Sequence, residues 1–322
     1  MSANITLRYT KEHNSFNPYY FDDLMSRWFD LRAWNKDDHS VDPILFGAPF
    51  DCESMIPCLE QGCKIIVDNL QESVIPDIGL LQPWADQVIL LTGSDEKSPH
   101  FANVNVFEWF WYFESPWYHD RGYSKYRRSA DRPGQTFFMP MRLHKQARDK
   151  MVSLLGDQLD RAVWSYVAQG RRLSGIPAES LEDQRWFEPL WYDSTWFSLV
   201  NESACEENQP LFWTEKTCKP LAYYHPFLLV ARPGLLAKLR EFGFETWPEL
   251  FDERYDTMPL LEDRMRHVVT QVQQFDAEKM HQPSVQHKLK HNHDRFFDLD
   301  LIYGNIEQRV ISPILDFLQT KV

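Results

Sequence analysis

Residues 211–234 read Leu-Phe-Trp-Thr-Glu-Lys-Thr-Cys-Lys-Pro-Leu-Ala-Tyr-Tyr-His-Pro-Phe-Leu-Leu-Val-Ala-Arg-Pro-Gly. Thr214 follows an apolar run and is a good N-cap, so a helix is expected to begin at Glu215. Pro226 is expected to end it, Phe227 to Ala231 reads as a short buried strand, and Arg232-Pro233-Gly234 turns into a further helix. Helix, buried strand and helix form a unit of a parallel α/β sheet. Glu215 and Lys216 fall in the first helical turn, where backbone N–H groups and the positive dipole end attract an anion. Lys216 adds a movable cation for a phosphate, and Glu215 a carboxylate able to take a pair of ribose hydroxyls. The segment reads as half of a nucleotide site.

The same rhythm extends outward. Lys64-Ile65-Ile66-Val67-Asp68 is β-branched and bounded by Gly62 and Asn69, as a buried parallel strand should be, and Gln87 to Gly93 is of the same kind. Phe101 to Phe107, Thr136 to Met141 and Trp196 to Asn201 are further strand candidates, with a helix from about Lys145 to Leu155. A helix is also expected from about Tyr20 to Trp34, a short apolar run at Ile44 to Phe46, and an amphipathic closing helix at Asn305 to Gln319. The expected fold class is α/β: two Rossmann-like domains facing a cleft, with ligands at the strand C-terminal ends. The domains are placed at residues 1–132 and 133–300, with a closing helix in 301–322.

Composition agrees with a globular enzyme: 322 residues, 43% hydrophobic and 25% charged. No apolar run reaches the roughly 20 residues of a membrane span, and no signal-peptide pattern opens the chain. Cys52, Cys58, Cys63, Cys205 and Cys218 are odd in number and form no Cys-x-x-Cys, which reads as reduced thiols in a cytoplasmic protein. Aromatic residues make up 15%, with the densest run at Phe107 to Phe113 expected in the core and rings near Trp117 and Tyr118 lining a cleft. Net charge is −13, which argues against nonspecific duplex binding by the whole surface, yet residues 121–150 hold nine cations against Asp131 and Asp149.

Thr214-Glu215-Lys216-Thr217, Lys219-Pro220, His225-Pro226-Phe227 and Pro233-Gly234 are followed by Phe242-Gly243-Phe244-Glu245-Thr246 and Phe251-Asp252-Glu253-Arg254-Tyr255-Asp256. Together they resemble viral and bacterial glycosyltransferases, phage enzymes among them, whose C-terminal half is similar to that of the α1,3-fucosyltransferases. The resemblance covers roughly residues 191–270. It implies a GT-B fold, a nucleotide diphosphate sugar as donor and no cofactor. The domain over 133–300 then holds the donor, with Thr214 at the helix start and Glu215 and Lys216 on the ribose and diphosphate, and the domain over 1–132 holds the acceptor. Related enzymes carry a basic residue after the strand matching Thr136 to Met141, usually in an Asn-Arg-Arg-like string. Met141-Arg142-Leu143-His144-Lys145 departs from it, leaving Arg142 and Lys145 as candidates for the second wall of the site.

No Asp-x-Asp follows an apolar strand in mid-chain, so the leaving diphosphate is expected to be stabilised by cations and helix starts rather than a metal. Asp298-Leu299-Asp300 and the pair His291 and His293 read as surface features. The acceptor hydroxyl needs a carboxylate base, for which Asp68 and Glu72 stand at a strand's C-terminal end, with Asp51 and Glu53 as rivals. Ser198, Asn201 and Glu202 are candidates for contact with the nucleotide or sugar. Arg121-Gly122-Tyr123-Ser124-Lys125-Tyr126-Arg127-Arg128 alternates cations with aromatics and reads as an acceptor-binding loop, carried by Lys125, Arg127 and Arg128. The expectation is a metal-independent, inverting glycosyltransferase acting on a glycan or a hydroxylated DNA base, DNA modification of the phage type included. The alternative is a non-catalytic module that binds a nucleotide sugar or nucleic acid.

Overall fold

The computed structural model describes residues 5–10, 25–35, 40–47, 51–70, 75–128, 133–173 and 188–320. It divides into two compact units, Met1–Phe113 with Leu299–Val322, and Glu114–Asp298. The boundary lies earlier than the expected residue 132, and Leu299–Val322 groups with the first unit. The reason is visible in the basic segment. The Tyr126 hydroxyl bonds to Asp193, and the Arg128 guanidinium to the Thr195 carbonyl, which ties residues 126–128 to the second unit.

The first unit holds a parallel sheet in the order β2-β1-β3-β4-β5-β6. Its strands are β1 (Thr6–Tyr9), β2 (Asp30–Ala33), β3 (Ile44–Gly47), β4 (Ile65–Asn69), β5 (Val88–Thr92) and β6 (Ala102–Asn105). The central strands are continuous apolar runs because a parallel sheet is covered on both faces, and β3 and β5 are buried along their whole length. Beneath them Met55, Leu59, Ile78 and Leu81 pack with Ile44, Phe46, Ile65, Val67, Val88 and Leu90. All five cysteines are buried thiols.

Two expectations fail here. Asp30–Ala33 is a strand paired in parallel with β1, not the end of a helix. Leucine, arginine and alanine favour helix locally, but the sheet edge supplies a ladder that outweighs propensity. Tyr118 is fully buried, set edge-on to Tyr123 and Tyr223, and lines no surface. The aromatic run does lie in the core: Trp109 to Phe113 are at most 9% exposed and form the apolar start of the Trp109–Asp120 helix, which turns polar and exposed at His119 and Asp120.

The chain ends in a helix (Leu299–Ile306), a π-helical turn (Glu307–Ile311) and a second helix (Ser312–Gln319). Lys64 Nζ caps the last one, donating to the Phe317 carbonyl at 2.5 Å and the Leu318 carbonyl at 3.3 Å. Glu108, 1% exposed, is paired by Arg309 from the π turn.

The second unit holds a parallel sheet in the order β10-β9-β7-β8. The strands are β7 (Gln135–Met141), β8 (Ala162–Tyr166), β9 (Thr195–Asn201) and β10 (Phe227–Val230). The order reverses between β7 and β9, so the loops leaving these two strands open a crevice at their C-terminal ends. Helices Gln146–Leu155 and Glu215–Ala222 start just beyond it. The second helix stops at Ala222, earlier than Pro226. Residue 225 precedes a proline and is pushed towards extended backbone, so the turn is made before it by Tyr224, at φ 53°. The Tyr224 ring stacks on His293, centroids 4.1 Å apart, which holds the strained turn in place.

Candidate active site

Thr214 caps its helix as expected, its Oγ1 accepting from Lys216 N at 3.3 Å. The hydroxyl proton goes elsewhere, to Glu202 Oε2 at 2.8 Å. Glu202 directly follows the last residue of β9 and is 2% exposed. Its Oε1 accepts from Thr214 N at 3.1 Å and Thr217 Oγ1 at 2.5 Å, and its Oε2 also accepts from Ser203 N at 3.1 Å. Glu202 is therefore enclosed by the protein's own donors and holds the helix start, rather than reaching for a ligand.

Lys216 Nζ lies 2.8 Å from Glu215 Oε1, 3.0 Å from Thr214 Oγ1 and 3.3 Å from Ser203 Oγ. From the other side of the crevice, Lys145 Nζ donates to the Ser203 carbonyl at 2.7 Å. Two ammonium groups from different loops thus converge on one residue. Lys145 is also the N-cap of the Gln146–Leu155 helix, whose start carries no side-chain cap. Burial, with Arg148 and Lys216 as neighbouring cations, holds the Lys145 ammonium below the usual lysine range. Burial alone would push the Glu215 carboxyl up, but Lys216, Lys219 and the hydrogen bonds from Lys216 and Thr214 outweigh it and keep it ionised.

Arg148, 3% exposed, donates from Nη1 to the Leu143 carbonyl at 2.7 Å, while its Nε meets no acceptor. Burial lowers its pKa, against the pull of Glu202 and Glu215. Arg142 leaves β7 at the crevice edge, and its carbonyl accepts from Ala168 N at 2.9 Å. Asn201, at the last position of β9, is 5% exposed, and neither amide atom has a hydrogen-bond partner. Such a group carries an energetic cost that a ligand or a water would remove.

Of the donor-site residues expected from sequence, Arg142, Lys145, Asn201, Thr214, Glu215 and Lys216 gather at the switch point. Ser198 does not. It lies three positions back along β9, and its Oγ pairs with the buried His225 Nδ1 at 2.8 Å. The acceptor loop divides. Lys125 is exposed, but Arg127 Nη1 folds back onto the Tyr126 carbonyl at 2.6 Å, and Arg128 is inserted against β9. In the first unit Asp68 is half-buried at the end of β4, its Oδ1 accepting from Leu70 N at 3.0 Å, and Glu72 lies outside the described residues. Asp51 caps the Cys52–Glu60 helix, with Glu53 exposed in its first turn. His293 is 2% exposed, with Nδ1 2.7 Å from the Ala222 carbonyl, so it belongs to the core and not to the surface. Sequence reading missed Arg148, Ser203 and the holding role of Glu202; only the positive charge of the tract around Arg148 hinted at any of them.

No protein-family model matches the sequence, and no curated protein does. Solved structures do. One is a crystal structure of an α1,3-fucosyltransferase, with TM-score 0.52 at 9% identity, over 95% of this chain and 91% of that one. Another is an α1,3-fucosyltransferase with GDP-fucose, with TM-score 0.53 at 10% identity, over 99% of this chain and 91% of that one. The fold is of the GT-B type. The cationic crevice lies in the Glu114–Asp298 unit. No helix among the described residues is long and apolar enough to cross a membrane.

Proposed function

We propose that this chain is a glycosyltransferase that moves a sugar from a nucleoside diphosphate donor to an acceptor hydroxyl. The observation that carries the reading is the meeting of Lys145 and Lys216 at Ser203, between two helix starts at the switch point of the second sheet. A diphosphate placed there would take over the ammonium groups from the backbone carbonyl and hydroxyl they now hold. Glu215, ionised and beside Lys216, is placed to accept ribose hydroxyls. Support for the donor class comes from the GT-B fold shared with a structure described with GDP-fucose.

In the reaction, the acceptor oxygen attacks the anomeric carbon, the bond from that carbon to the diphosphate oxygen breaks, and the acceptor proton passes to a carboxylate. Negative charge develops on the leaving diphosphate, where Lys145, Lys216 and the helix N–H groups would stabilise it without a metal. Attack from the face opposite the leaving group inverts the anomeric centre. Asp68 is our candidate base. The Leu70 N–H on its Oδ1 fixes the carboxylate's orientation at the strand end. A glycan is the favoured acceptor over a DNA base, because Arg128 is engaged inside its own unit and Arg127 turns back on its own loop.

Thermal-shift and calorimetric titration with nucleoside diphosphates and sugar nucleotides, with and without EDTA, tests the reading. One nucleotide is expected to bind equally well in both conditions. Binding of none would overturn it.

A further inference from the structure

The two lysines and the helix start assigned above to the diphosphate are held by one buried carboxylate that is not itself assigned to the donor. Glu202 Oε2 takes the Thr214 hydroxyl proton and the Ser203 N–H. Because the Thr214 hydroxyl donates to Glu202, its lone pairs face Lys216, accepting from both N and Nζ. Because Ser203 is tied at its N–H, its carbonyl and hydroxyl are fixed where Lys145 and Lys216 meet. Glu202 Oε1 pins the first turn again through Thr214 N and Thr217 Oγ1. A carboxylate closed in by four donors, 98% buried by its 2% exposure, has no lone pair turned to a ligand.

We propose that Glu202 is the positioning residue of the donor site: it aims Lys145 and Lys216 at a single phosphate position and does not touch the donor. This rests on the donor reading above. Its mechanism is distinct from fold support, since a carboxamide at this position keeps the volume but presents one acceptor oxygen and an N–H group that clashes with the donors around it. Arg148, beside Glu202 and bonded to the Leu143 carbonyl, supplies the charge balance from the β7 side.

The test is a double-mutant cycle read by calorimetric titration with ADP, GDP, UDP, CDP and TDP, using whichever the wild-type protein binds best. Glu202→Gln is expected to weaken that nucleotide on the order of ten-fold. In the wild-type background Lys216→Ala is expected to cost a similar factor, but within Glu202→Gln it should cost at most about two-fold, because an unaimed lysine has little left to lose. Thr217→Ser, which keeps the hydroxyl, should bind within about two-fold of wild type, whereas Thr217→Val should fall several-fold. Additive penalties, equal affinities for Thr217→Ser and Thr217→Val, or a lowered melting temperature with unchanged affinity would each overturn the assignment. A wild-type protein that binds none of the five nucleotides overturns the donor reading itself and this inference with it; a wild-type protein that binds, with an uncoupled cycle, overturns this inference alone.

Discussion

At the scale of single residues, Lys216 and Arg128 are both cations in motifs the sequence marks as anion-binding, and their surroundings give them opposite roles. The Lys216 side chain is one-fifth exposed, and its ammonium is surrounded by oxygen atoms that a phosphate can replace. Lys216→Ala should weaken sugar-nucleotide binding by about 1.5 kcal/mol, the lower end of the worth of a charged hydrogen bond; calorimetry showing wild-type affinity would remove the lysine from the site. Arg128 donates to a strand carbonyl, and burial lowers its pKa despite Tyr126 and Asp193 nearby. Arg128→Ala should therefore destabilise the fold by roughly 1–3 kcal/mol, through the lost charged hydrogen bond to the Thr195 carbonyl, which keeps His225 Nε2 at 2.9 Å as its partner, and leave the salt dependence of acceptor binding unchanged. Chemical denaturation and salt titration separate the outcomes. The sequence revealed the charge of both residues but not the partner 67 positions away that distinguishes them.

At the scale of elements, the Glu215–Ala222 helix start was legible because a cap is a local matter of adjacent side chains. The central strands were legible for a similar reason, since a strand buried on both faces is written as an unbroken apolar run. β1, β2 and β8 were not read. β2 alternates exposed with half-buried positions, and β8 begins with three half-buried ones, so neither carries such a run. Ser198 was misplaced because strand membership does not say how far along a residue sits; three positions is about 10 Å. The Ser312–Gln319 helix depends on a partner some 250 residues away. Lys64→Met should remove its C-terminal cap, speeding amide exchange in that helix while amides of the β9 strand keep their protection. Equal acceleration in both would mean that the lysine supports the whole chain rather than its last helix.

At the scale of the whole molecule, the two units should respond differently to acid. His225 is fully enclosed, and burial followed by Arg128 pushes its pKa well below the ordinary 6.5, with the Thr195 carbonyl pulling weakly the other way. His293 is lowered in the same direction, chiefly by burial. Both are neutral in the fold and take up protons when unfolded, so the unfolded state binds more protons below pH 6.5. Stability of the second unit is therefore complete above that pH and falls as pH drops through it, by up to about 1.4 kcal/mol per pH unit for each histidine. Melting curves from pH 8 to 5 should show the transition of the Glu114–Asp298 unit moving down, and His225→Gln should flatten the trend; an unchanged slope would place the acid sensitivity elsewhere.

The contact between Glu108 and Arg309 bears on how such a chain is born. The second unit is one unbroken stretch, while the first is assembled from both ends of the polypeptide. On a ribosome adding about 5–20 residues per second, Glu108 waits on the order of 10–40 s for its arginine. Lys64 waits longer still, roughly 13–50 s, for the Phe317 carbonyl. The half that emerges first must thus finish last, with a carboxylate destined for the interior uncompensated throughout. A chain truncated after Asp298 should show a protease-resistant second unit beside a first unit that is still readily cut.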